Sequence, residues 1–356
     1  MAYTTIKKPS DYFNTKLWTG NGSTQSITGV GFQPDLAWIK RRSSTQKHGL
    51  YDAVRGATKV IASDASDAEA THDGLTAFGT DGFTLGNIGR TNTNNETYAS
   101  WNWLANGSGS ANTDGSISST VSASTTSGFS IVSYTGSGTD SDTVGHGLGS
   151  APKMIILKKR DALDNWYVMH TSLSTNNSLN LDTTNAQRST SILTYGVLST
   201  SPTSSTFSFA AGGGGVPTGN VNNSGSTYIA YCFAEKTGFS KIGKYYSNNS
   251  SNGPFIYTGF KPSFIMIKNI NGERDWRIYD DKRFRAGGPN NKLNYLEPNT
   301  SDAEGTTDSG GAWDMLSNGF KFYTSEAVIN GGVGNEYMYM AFAEQPLVGD
   351  NPATAR

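Results

Sequence analysis

Four histidines, His48, His72, His146 and His170, and one cysteine, Cys232, are the residues that could ligate a transition metal, and none stands at ligand spacing from another. His146 lies between two glycines in a predicted turn and His170 closes a predicted strand, places where a polar residue needs no catalytic reason. Cys232 falls in the apolar run Tyr231-Cys232-Phe233-Ala234 and reads as a small buried hydrophobe. Carboxylates raise a different chemistry, because glycoside hydrolysis needs a pair of Asp or Glu residues flanking the scissile bond. Asp52, Asp280-Asp281 and Asp161 with Asp164 follow predicted strands, and Asp52 aligns with Asp280 between internal copies of the sequence. The same position in the middle copy is His170, so turn capping accounts for these aspartates more simply than acid–base work does. Gly212-Gly213-Gly214-Gly215 lacks the Lys-Ser/Thr of a phosphate loop, and Thr139-Asp140-Ser141-Asp142 lacks EF-hand spacing. Stacking chemistry is left. Sugars lay their apolar faces on aromatic rings with polar groups alongside, and Trp166, Tyr167 and Trp276 with Arg274 and Arg277 have that composition. Their recurrence at one repeat position points first to packing. No catalytic residue, metal site or cofactor is expected, and the chain reads as a non-enzyme.

The residues that would have to be positioned hang on a phrase written three times. Gly31-Phe32-Gln33-Pro34-Asp35-Leu36-Ala37-Trp38-Ile39-Lys40 returns around Pro152, ending Met154-Ile155-Ile156-Leu157-Lys158, and around Pro262, ending Phe264-Ile265-Met266-Ile267-Lys268. A lysine stands six residues past each proline, and Trp166 and Trp276 stand fourteen past theirs. Pro34 to Pro152 is 118 residues and Pro152 to Pro262 is 110, the size of a β-sandwich and not of a solenoid rung or propeller blade. The prolines mark strand starts, because proline cannot donate to a sheet ladder. The lysines then read as strand-end residues reaching solvent. Each copy closes on a tyrosine followed five residues later by an aromatic, at Tyr98, Tyr228 and Tyr337.

Among 356 residues, 42 are glycine, only 16 % are charged and 11 % are aromatic, a mixture that suits short strands and many turns. The expected fold is all-β, with three tandem β-sandwich-like repeats of roughly 110 residues and a short N-terminal arm. The divisions are an arm over 1–13, a first repeat over 14–105, a linker and polar edge strand over 106–127, a second repeat over 128–236, a third over 237–345 and a polar tail over 346–356. Asp64 to Asp73 is Ala-rich and is the one place where a short helix is reasonable. The arm carries Tyr3, Ile6, Pro9, Tyr12 and Phe13, too many sticky side chains to float free; it either closes the first repeat or docks on a neighbouring molecule, and the neighbour is the preferred expectation. A formal net charge of −1 supplies no field for nucleic acid or an anionic membrane. No signal-peptide core opens the sequence and no run of 18 apolar residues follows, so synthesis in a cytoplasm without membrane insertion is expected.

Several long phrases resemble an uncharacterised family common in tailed bacteriophages, especially marine ones. They are Tyr3-Thr4-Thr5-Ile6 with Pro9-Ser10-Asp11-Tyr12-Phe13, Gly29-Val30-Gly31-Phe32-Gln33-Pro34-Asp35 with Trp38-Ile39-Lys40, Val54-Arg55-Gly56-Ala57, and Gly145 to Pro152. The resemblance implies a virion structural protein, a tail fibre, tail-associated appendage or capsid decoration, with other virion proteins as partners and no catalytic residues to carry over. Symmetric particles make a homo-oligomer the expectation, with a trimer as the fibre-like choice. Contact with a host-surface glycan and polysaccharide-degrading glycosidase activity are the alternatives. The third copy departs after its lysine, where Asn269-Ile270-Asn271-Gly272 replaces the Arg41-Arg42 and Lys159-Arg160 pairs.

Overall fold

A computed structural model of the chain describes residues 4–140, 142–189, 197–199, 201–210, 219–283, 294–306, 313–348 and 352. Its architecture is all-β, and one strand order recurs three times. An opening strand pairs with the closing strand, which pairs with the signature strand, which pairs with a flanking strand, all antiparallel. In the first unit these are Phe13–Thr19, Thr97–Trp103, Leu36–Arg41 and Gly49–Asp52. In the second they are Phe129–Thr135, Thr227–Phe233, Met154–Lys159 and Trp166–His170. In the third they are Ser240–Tyr246, Glu336–Pro346, Phe260–Asn269 and Arg277–Asp280. Pro34 and Pro152 precede their strands, whereas Pro262 lies inside one. The ladder shifts register there, and a bulge is where a missing N–H costs least.

A three-stranded sheet covers one face of each of these four-strand sets, which in the second unit is part of an eight-stranded sheet. It is built by Gln25–Thr28, Gly82–Leu85 and Leu75–Gly79 in the first unit, and by Thr143–Gly145, Thr206–Ala210 and Val197–Leu198 in the second. In the third it is Phe255–Tyr257, Gly319–Phe322 and Trp313–Leu316. Ala37 and Ile39 on the signature strand face this small sheet, as do Ile155 with Leu157 and Ile265 with Ile267. Within each unit an aromatic of the opening strand stacks on the closing tyrosine. Trp18 lies on Tyr98, Tyr134 on Tyr228 and Tyr245 on Tyr337, with ring centroids 5.4, 5.0 and 5.1 Å apart.

The other faces of the three large sheets are also buried, because they pack on one another. Leu36 and Trp38, Met154 and Ile156, and Phe264 and Met266 all belong to a single shared core. A strand buried on both faces carries a continuous apolar run instead of an alternating one, which is why the signature phrase reads as it does. At the centre, Trp103, Phe233 and Phe342, equivalent residues of the closing strands, form a triangle with centroid separations of 6.1, 6.1 and 5.7 Å. The units thus close into a ring around a pseudo-threefold axis.

Three expectations need correction. The arm docks on its own chain: Ile6 and Phe13 enter the shared core, Pro9 is buried, Tyr12 meets Phe239 edge-on at 6.0 Å and Phe13 stacks on Phe342 at 5.0 Å. These apolar side chains cover one end of a core that water would otherwise reach; Tyr3 lies outside the described residues. Asp64 to Asp73 forms no helix. Its only regular element is Ala70–Thr71 paired with Lys59–Val60, because its backbone is committed to the neighbouring unit, as with the Glu69 N–H on the Arg160 carbonyl. In the 106–127 stretch the second half is a polar strand as expected, Ser119–Ser124 joining the opening strand of the second unit, whereas the linker half is not loose, because Ser110–Asn112 pairs with that strand in turn.

Candidate functional site

The signature lysines are the first chemical groups to place, and they do not reach solvent. Lys40, Lys158 and Lys268 are fully buried. Each ammonium donates to a carbonyl six residues on, Gln46, Asp164 and Arg274, at 2.8, 2.6 and 2.7 Å. Each also crosses to the next unit round the ring: Lys40 to Ser301 O at 3.1 Å, Lys158 to Ser66 O at 3.0 Å and Lys268 to Thr184 O at 3.0 Å. Burial pushes all three down to about 8. The solvent-exposed reading fails because the strand ends where another unit begins.

The two tryptophans proposed for sugar stacking belong to the same seams. Trp166 and Trp276 are fully buried, and their indole N–H groups donate to Ala62 O at 2.7 Å and Asn180 O at 3.0 Å in the adjacent units. Tyr167 is buried in the second sandwich with its hydroxyl on Asp164 at 2.9 Å. Arg277 is buried over the Tyr295 ring at 3.4 Å and paired with Glu297 at 3.0 Å. None offers an open ring face to a sugar. The first unit's counterpart was missed: His48, fourteen residues after Pro34, accepts from Trp38 Nε1 at 2.9 Å and meets Glu297 O through Nε2 at 3.0 Å. Accepting at Nδ1 makes Nε2 the donor, and burial holds the ring well below the ordinary histidine range.

The aspartates flanking these strands anchor ion networks. Asp52 binds Arg55 and accepts from Tyr231 of the second unit at 2.8 Å; Arg55 also reaches Glu69, which Arg160 of the second unit grips through both its Nε and Nη2. The pattern repeats between third and first units. Asp280 binds Arg283 and accepts from Trp101 at 2.8 Å, while Glu304 joins Arg283 and the two-pronged Arg42. Burial raises Glu69 and Glu304, but the arginines around each outweigh it and hold both below the usual carboxylate range. Between the second and third units every charged member is replaced. His170, Leu173, Gln187 and Ile270 stand where the others have Asp, Arg, Glu and Arg, and only the backbone bond from Gln187 N to Ile270 O is kept, at 3.0 Å. A buried ion network that lost one partner would strand a charge, so replacement of the set is the arrangement that keeps the seam closed. Among the described residues no cluster of His, Cys, Asp and Glu is arranged to hold a metal ion.

Residues 8–346 match a single family, described as a domain of unknown function (DUF7483). The chain belongs to the DUF7483 family. No curated protein and no solved structure matches it.

For this DUF7483 chain, a further difference between the units lies on the outside. Tyr246, Phe255 and Tyr257 are 56, 45 and 55 % exposed, and the large exposed aromatics among the described residues all belong to the third unit. By register, Tyr246 replaces Thr19 and Thr135, Phe255 replaces Ser26 and Thr143, and Tyr257 replaces Thr28 and Gly145. Phe255 and Tyr257 alternate with buried Ile256 on an edge strand, so both rings stand on the outer face of the small sheet beside Lys321. An aligned comparison of the three copies could have found them, because the substitution from Ser/Thr/Gly to aromatic is visible there.

Proposed function

We propose that this chain is a non-catalytic structural component of a bacteriophage particle, a compact three-unit block displayed on its surface. One observation carries the reading: the chemically capable residues shared between copies are buried in the seams that weld the units together. Lys40, Lys158 and Lys268, Trp166 and Trp276, and Asp52 and Asp280 all serve that purpose. The resemblance of the Gly29–Lys40 and Gly145–Pro152 phrases to tailed-phage particle proteins supports the same reading. Other virion proteins are then the partners. Mass spectrometry and electron microscopy of purified particles test it: the chain should be present in stoichiometric amount with a three-lobed density, and its absence from washed particles would sink the proposal.

A second reading, recognition of a host-surface glycan, is favoured by Tyr246, Phe255 and Tyr257, since exposed rings suit stacking on sugars. A glycan array probed with the intact chain and with Phe255→Ser, Tyr257→Thr tests it, and silence in both arms removes it.

A further inference from the structure

In the first unit Arg41, the last residue of the signature strand, folds its guanidinium inward. Its Nη2 donates to Gly89 O and to Thr93 Oγ1, the latter at 3.0 Å, and its guanidinium carbon lies 5.9 Å from the centre of the Tyr98 ring. Tyr98 completes the cradle, accepting from Thr93 N at 2.8 Å and donating to Gly89 O at 3.0 Å. The third unit has the same cradle. Tyr337 accepts from Gly331 N at 3.1 Å and donates to Ala327 O at 2.8 Å, which makes Ala327 the counterpart of Gly89 and Gly331 that of Thr93.

The residue facing Tyr337 across the ladder, as Arg41 faces Tyr98, is Asn269. It carries no guanidinium: its Oδ1 accepts from Asn271 N at 2.9 Å and Gly272 N at 2.8 Å, and the side chain comes only as far as the Tyr337 hydroxyl. A cavity of about 290 Å³ is left, lined by Asn269, Ala327, Gly331 and Asn335, with Glu273 and Arg274 at its rim. Arg274 is directed onto its neighbour's backbone, with Nη1 on Glu273 O at 2.9 Å.

We propose that this cavity binds a guanidinium group supplied from outside the chain, in the place that Arg41 fills from within in the first unit. The carbonyl of Ala327 accepts an N–H, and Glu273 supplies negative charge at the mouth. An arginine side chain of a partner protein and a free guanidino compound share this chemistry.

Titration of the full chain with agmatine and with the peptide Gly-Arg-Gly, followed by calorimetry and by amide NMR, tests the site. Saturable one-to-one binding is expected, with shifts at the Ala327 and Gly331 amides and at least about tenfold weaker binding of the lysine peptide. Tighter binding of the peptide assigns a protein arginine, and tighter binding of agmatine assigns a small compound. Asn269→Arg should fill the cavity from within and abolish binding. No binding by either probe, undiminished binding by Asn269→Arg, or shifts confined to residues away from 327 and 331 would overturn the proposal; the NMR reading stands even where the variant fails to fold.

Discussion

Trp103 and Phe342, equivalent residues of the first and third units, meet edge to face with ring centroids 5.7 Å apart at the middle of the ring. Phe13, Phe233 and Phe264 pack around the same point. The centre of the molecule is therefore built from all three units at once, and none has a finished exterior without the others.

Unfolding should follow from that. Phe342→Ala removes a ring that contacts Phe13, Phe233, Phe239 and Trp103, and a cost of about 3–5 kcal/mol is expected. Urea titration read by tryptophan fluorescence and by circular dichroism should give one coincident transition in the wild type. Three separable transitions would mean that the units stand alone.

The caged lysines set an alkaline signature. Lys40, Lys158 and Lys268 titrate near 8 in the folded chain and near their ordinary 10.5 when unfolded. Between these values the unfolded state binds more protons, so stability rises with pH. Buried tyrosines such as Tyr51 and Tyr228 are raised by burial and reverse the trend once unfolded tyrosine ionises, above about pH 10. Chemical denaturation from pH 7.5 to 11 should show this rise and fall, with a shallower rise in Lys158→Met.

The neutral seam answers to acid instead. Burial lowers His170 to about 4 from 6.5. Its Nδ1 accepts from Ser172 N at 3.0 Å, while Nε2 turns toward the Tyr339 backbone of the third unit without completing a hydrogen bond. The unfolded state takes up the proton first, so stability held above pH 6.5 is lost as pH falls toward 4. The protection factor of the Gln187 amide, which crosses this seam, should fall in that window once exchange is corrected for its intrinsic pH dependence.

Rebuilding the lost network is a sharper test. His170→Asp alone buries a carboxylate with no arginine and should cost about 3–5 kcal/mol. Adding Leu173→Arg, Gln187→Glu and Ile270→Arg restores the set found at the other two seams, and most of that loss should be recovered in thermal melts. Equal destabilisation by the single and quadruple variants would disprove the equivalence of the seams.

The exposed rings should be separable from the fold. Phe255→Ser with Tyr257→Thr installs the first unit's residues on the same strand, so stability should change by no more than about 0.5 kcal/mol per site. On the proposed particle role, particles carrying the double variant should assemble normally, and they should lose host adsorption where the glycan reading holds.

Much of this was legible before any tertiary contact was known. The phrase around Pro34, Pro152 and Pro262 marks the signature strands, and the tyrosines at 98, 228 and 337 mark the closing strands, because both rest on short-range pattern and fixed spacing. His48 was within reach by the same spacing and was hidden only by its change of residue type. The partners of Lys40, Lys158 and Lys268 were not legible. A lysine ending an apolar strand looks alike in sequence whether water or a carbonyl 261 residues away in the chain receives its protons.

Sequence by itself determined the all-β units, their length and where their copies diverge, since those follow from periodicity and comparison within the chain. Only the tertiary structure decided that the units close into a ring, that the arm seals it, and that the signature residues face a neighbour. Those outcomes depend on which apolar faces find each other across long stretches of chain, and a strand's own residues carry that face without naming its partner.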